Sequence, residues 1–124
     1  MKEAKGLLSL GLYDGAYYLA GYAVECALKA CIAKETKRHE FPDRRRVDAS
    51  HTHDLRELVR LAKLEKSRED RSRADPEFDK NWDTVESWSE QSRYRRHNPQ
   101  EATDLVNAVC SRRHGVIVWL RLYW

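Results

Sequence analysis

The chain has 124 residues, 41% of them hydrophobic and 35% charged, with a formal net charge of +3. That length fits a single domain, residues 1–124, with one core, and leaves no room for a separate catalytic domain. Acids and bases nearly cancel, so the charge mostly describes solvated helix faces, yet residues 93–124 hold +4 while the preceding 92 sum to −1.

Residues 2–10 predict a short first helix that yields at Gly11, with Asp14 placed to N-cap a long helix running to about Lys37. Along it Leu12, Ala16, Leu19, Ala20, Ala23, Val24, Ala27, Leu28 and Cys31 recur at three- and four-residue steps, an apolar stripe whose alanines admit close approach of a second helix. The opposite edge carries Tyr18, Tyr22, Glu25 and Lys29, and the last two, acid first and four apart, read as a surface ion pair or a dimer contact. Tyr13, Tyr17, Tyr18 and Tyr22 suit a helix interface.

His39 to Ala49, with Phe41-Pro42-Asp43 and Arg44-Arg45-Arg46, has no period and reads as a charged loop. Ser50 or Thr52 caps the next helix, with Asp54 in its first turn and Leu55, Leu58, Val59 and Ala62 inward, to about Leu64. Glu65 to Ala74 has almost nothing to bury and reads as a mobile connector or a solvated helix extension. Asp75-Pro76 starts a helix with Phe78, Trp82, Val85 and Trp88 inward. Asn98-Pro99-Gln100-Glu101 repeats that signal with Glu101 at the capping-box position, opening a last helix with Ala102, Leu105, Val106, Val109, Val116, Ile117 and Leu120 inward. With no alternating strand pattern bounded by hairpin turns, the expected fold is all-α, an antiparallel up-and-down helical bundle of four to five helices. Trp119, Tyr123 and Trp124 would form an exposed apolar patch unless something covers them.

Cys26, Cys31 and Cys110 show neither a CxxC pair nor ligand spacing with histidine, and read as buried free thiols in a reducing compartment. No signal peptide and no membrane span is expected, because the longest aliphatic run, Val116 to Leu120, is far too short, so a cytoplasmic protein follows. GxSxG, P-loop and HExxH patterns are absent, and no cofactor or metal is expected. His51 and His53 flank Thr52 without a convincing third ligand, and His53 reads as a hydrogen-bonding residue near a helix start.

The run Ala-Tyr-Tyr-Leu-Ala-Gly-Tyr-Ala-Val-Glu-Cys-Ala-Leu-Lys-Ala at residues 16–30, then His53-Asp54-Leu55, Trp88 and Arg93-Tyr94, resembles the HEPN family (higher eukaryotes and prokaryotes nucleotide-binding) over about Leu7 to Leu120. The resemblance implies a compact helical bundle that dimerises, and a function among nucleotide binding, RNA binding and metal-independent RNA cleavage. Many bacterial relatives pair with a minimal nucleotidyltransferase in toxin–antitoxin systems; if such an enzyme modifies its partner on tyrosine, Tyr94 is the position to inspect. A non-catalytic assembly protein is the third class.

The strongest site candidate is Arg93-Tyr94-Arg95-Arg96-His97-Asn98, immediately before the last helix. Guanidiniums, an imidazole and helix N-terminal amides converging on one spot would favour a phosphate, with Tyr94 and Trp88 as stacking surface for a base. Cleaving members of the family carry an Arg, four to six residues, then a His, which would act as general base on the ribose 2′-hydroxyl while the Arg stabilises phosphorane-like charge. Arg93 and His97, the candidate catalytic pair, have only three residues between them. Arg46 fits the spacing with His51 and His53, but from the charged loop. Cleavage is therefore the alternative to binding, unless a dimer assembles Arg93 and His97 with their symmetry mates.

Overall fold

The computed structural model describes residues 1–38 and 44–124, so the His39–Asp43 part of the expected loop lies outside the described residues. Among them the chain is all helical: α1 (Lys2–Ser9), α2 (Tyr13–Arg38), α3 (Arg44–Ala49), α4 (Leu55–Leu61), α5 (Glu65–Ala74), α6 (Pro76–Glu86), a 3-10 helix (Glu90–Tyr94), α7 (Pro99–Cys110) and α8 (Val116–Leu120). The helix α2 is the spine, touching α1, α4, α7, α8 and the 3-10 helix. Ala16, Ala20, Val24, Ala27, Leu28 and Cys31 line its buried face, and small side chains there let neighbouring backbones approach.

Local signals place most boundaries. Gly11 takes φ +75, which its missing Cβ allows, and ends α1. Asp75 accepts from the Phe78 N–H with Pro76 at the first helical position, and Asn98 and Glu101 form a complete capping box. Phe78, Trp82, Val85 and Trp88 are all buried.

Other expectations are corrected. Asp14 is not a cap but sits in the first turn of α2, its carboxylate reaching across to the His97 N–H at 2.6 Å. Leu12, one residue ahead of the helix, falls off the apolar stripe and is exposed. Arg44–Ala49 is helical rather than loop, tied down where Arg46 Nη2 donates to the Leu61 carbonyl at 2.8 Å, the end of α4. Asp54, not Ser50 or Thr52, caps α4, accepting from the Arg56 and Glu57 N–H groups, while Thr52 accepts from Asp54 N–H. A left-handed Lys63 at φ 58 turns the chain between α4 and α5.

Although α5 buries no residue, it is a formed helix: Arg68 and Arg71 lie over the Trp82 and Phe78 rings, and Ser67 bonds Tyr123. The expected last helix is two. At Ser111 the chain leaves α7, and Gly115 closes the corner so tightly that a Cβ there would stand 2.4 Å from the Ser111 carbonyl oxygen. The four to five helices read from periodicity are thus divided more finely, wherever such a corner interrupts an apolar pattern. The aromatic end is covered in part: Trp119 is buried, edge-on to Phe78 and Trp82, and its indole donates to Ser67 Oγ at 3.1 Å, while Trp124 stays 43% exposed. No described helix is long and apolar enough to cross a membrane.

Candidate nucleic-acid interface

The segment 88–98 rests on α2, held at both ends. At one end Trp88 lies flat on Gly21, where an added Cβ would come within 2.2 Å of the indole. At the other, Asp14 holds the His97 amide, and the His97 ring stacks on Tyr17 with centroids 3.8 Å apart and planes 10° from parallel. Between these anchors Arg93, Tyr94, Arg95 and Arg96 are exposed, Tyr94 at 71%. Arg93 covers the Tyr94 ring and donates to its hydroxyl at 2.6 Å, so the two side chains present one cationic, stacking-competent surface. Among the described residues neither Arg95 nor Arg96 is ion-paired. Tyr17 reports the proximity of Arg95: burial pushes its phenol up, and the Arg95 charge pulls it partly back.

Three members of the expected constellation stand elsewhere. Trp88 is buried, so it supports the segment and offers no face to a base. His97 is buried too; its Nε2 is 3.1 Å from the Ser92 carbonyl, which accepts, so the N–H sits there. The remaining Nδ1 is buried, 3.3 Å from the Glu101 carboxylate and out of hydrogen-bond alignment. An imidazole packed this way has no lone pair to offer an outside hydroxyl. The helix N-terminus is likewise taken: Glu101 N–H donates to Asn98 Oδ1 and Asn98 N–H to Glu101 Oε2, so the capping box consumes two of the amides that would have met an anion. What remains for a phosphate is the run of guanidiniums.

Sequence reasoning missed the neighbouring cluster. Glu25, expected on the surface, is 1% exposed, and its Oε1 accepts from Lys29 Nζ and from His53 Nδ1, both at 2.8 Å. The other ring nitrogen of His53 meets Glu90 Oε2 at 2.9 Å. Both ring nitrogens of His53 thus face a carboxylate, and of the two contacts the Nδ1–Glu25 one is aligned as a hydrogen bond. Glu90 in turn lies 3.8 Å from Arg93. The i, i+4 spacing of Glu25 and Lys29 was visible, but their third partner comes from 28 residues away and no local period announces it.

The thiols divide: Cys31 is buried, Cys110 half-buried and Cys26 exposed, because Cys26 lies on the outer side of α2. Arg46 points to the α4 carbonyl, away from any cleaving arrangement with His51. Among the described residues no group of three His, Cys, Asp or Glu side chains is placed to hold a metal ion.

Comparison with known proteins found one family, the HEPN domain, whose model matches residues 1–111. No curated protein and no solved structure matches the chain.

Proposed function

The chain belongs to the HEPN family, and from that membership we propose that it is a nucleotide- or RNA-phosphate-binding helical module working through Arg93, Tyr94, Arg95 and Arg96. The observation that carries this reading is the exposed run of three guanidiniums and a tyrosine on a segment whose two ends are fixed to α2. Backbone phosphates reward such a run, and the Arg93–Tyr94 surface suits a stacked base. His97 and Asn98 serve the same site indirectly, by holding the segment in place.

Fluorescence anisotropy with a labelled single-stranded RNA dodecamer tests it. Arg95→Ala/Arg96→Ala should weaken binding and flatten the salt dependence by about 1.4 in log–log slope, two phosphate contacts at about 0.7 each. Unchanged affinity and slope would sink the reading.

The protein acts as a homodimer through the outer face of α2, where Tyr22, Cys26, Ala30 and Ala33 are exposed beside the Tyr18–Tyr22 stack. Its setting is cytoplasmic, where the three free thiols stay reduced. A second reading, a partner of a minimal nucleotidyltransferase in a toxin–antitoxin pair, is favoured by one observation: the Tyr94 ring is exposed and, among the described residues, its hydroxyl is bonded only to Arg93, as suits an acceptor site for a nucleotidyl group. Metal-independent cleavage by Arg93 and His97 is disfavoured by the packing of His97, and His97→Ala should not abolish any cleavage seen in EDTA.

A further inference from the structure

The seam between α2 and the 88–97 segment carries polar atoms that the protein itself leaves unmatched. Of the five buried side-chain polar atoms without a partner among the described residues, four belong here: Glu25 Oε2, Trp88 Nε1, Ser92 Oγ and His97 Nδ1. Native cores leave few such atoms, and a concentration of them marks a place shaped by something besides stability. Beside the seam opens a cleft of about 310 Å³ whose lining includes the acids Asp54, Glu86 and Glu90 together with His53, Arg56 and Trp88.

Glu90 is the acid of this cleft that meets both His53 and Arg93. It sits on the short 3-10 helix, 28% exposed, with one carboxylate oxygen on His53 and the other toward Arg93. His53 is in turn fixed from behind by Glu25, whose second cation is Lys29. A carboxylate suspended between a histidine nitrogen and a guanidinium occupies a position that a phosphate, with its similar pair of oxygens, can take. Swinging Glu90 outward frees His53 Nε2 and the Arg93 guanidinium of their shared carboxylate, while His53 Nδ1 stays on Glu25.

We infer that His53 and Arg93 form a phosphate subsite, and that Glu90 is a built-in competitor which an incoming phosphate displaces. This rests on the proposed phosphate-binding function and adds to it a residue 40 positions upstream and a self-blocking device. Glu25 acts as a positioning residue, holding Nδ1 so that Nε2 faces outward. The imidazole working beside Arg93 is then His53, not His97.

The test is a double-mutant cycle on the full chain, with folding checked by circular dichroism, using the labelled RNA dodecamer and AMP as separate probes. Glu90→Gln should tighten binding about fivefold by removing the competing charge, and His53→Gln should weaken it about tenfold. In the double variant most of the Glu90→Gln gain should vanish, because there is no longer a shared partner for Glu90 to occupy; independent surface charges would instead add. The gain appearing with RNA assigns the subsite to a backbone phosphodiester, and with AMP alone to a mononucleotide. If the wild type binds RNA and loses it in Arg95→Ala/Arg96→Ala, yet Glu90→Gln and His53→Gln change nothing with either probe, this subsite is refuted and the wider reading stands. Failure of both wild type and Glu90→Gln to bind either probe overturns both.

Discussion

Trp119 and Trp88 are buried to the same depth, 1% and 2% exposed, but the regions around them are finished differently. Around Trp119 the polar groups of the rings are met: the indole donates to Ser67 Oγ, Ser67 also bonds the Tyr123 hydroxyl, and three aromatic rings meet it edge-on, with Arg71 Nε the one buried atom there without a partner among the described residues. Around Trp88 the indole N–H has no partner among the described residues, nor do the nearby Ser92 hydroxyl and one oxygen of Glu25. The first region is a core that serves stability. The second gives up some stability, since each unsatisfied buried group costs roughly 1–3 kcal/mol, and it is the one that carries the exposed arginines.

Substitutions sharpen the contrast. The largest effect is expected at Gly21: Gly21→Ala forces a methyl into the Trp88 ring and should lower stability by about 1–3 kcal/mol in urea unfolding, while loosening RNA binding because the arginine segment loses its seat. A change in stability with RNA affinity intact would show that Trp88 does not position the segment. Next, Trp119→Phe removes a made hydrogen bond and Trp88→Phe an unmade one. With similar ring volume lost, the first should cost about 1 kcal/mol more than the second. Equal costs would erase the distinction between the two regions.

The smallest effect concerns the Trp119 side alone. Asp75 caps α6 and faces His114 at 2.8 Å and Arg71 at 3.2 Å, and the His114 hydrogen bond holds its carboxyl below the usual value. A carboxyl lowered in the folded state adds stability above its unfolded pKa, and this is lost as pH falls through the folded value. Urea midpoints should therefore fall on acidification below about pH 4, and less steeply in Asp75→Asn, which keeps a capping side chain but cannot titrate. Parallel acid limbs would remove Asp75 from the account.

The sequence announced what is local. The stripe of α2, the Asp75-Pro76 start and the Asn98–Glu101 capping box were legible because each is written within four residues, and the physics that uses it acts over the same distance. Asp14 shows the limit: it has the residue type and place of a cap, but a backbone N–H 83 positions away claims its carboxylate. The candidate site was half legible for the same reason. Arginines before a helix are visible in sequence, whereas the burial of His97 under Tyr17, and the recruitment of His53 to Glu25 and Glu90, depend on which elements the fold sets side by side. The expected last helix from 102 to 120 likewise hides its corner, for which the polar Ser111-Arg112-Arg113-His114 and Gly115 are the local hints.

Asp14 and Gly21, the two anchors of the arginine segment, stand seven residues apart on α2, about 10 Å along its axis. A strap pinned at both ends to one rigid rod, and seated on it between them through the 3-10 helix with its buried Ser92, cannot swing. Whatever meets Arg93 to Arg96 therefore finds charges whose backbone placement is set by α2, while the adjustment is left to the long side chains themselves.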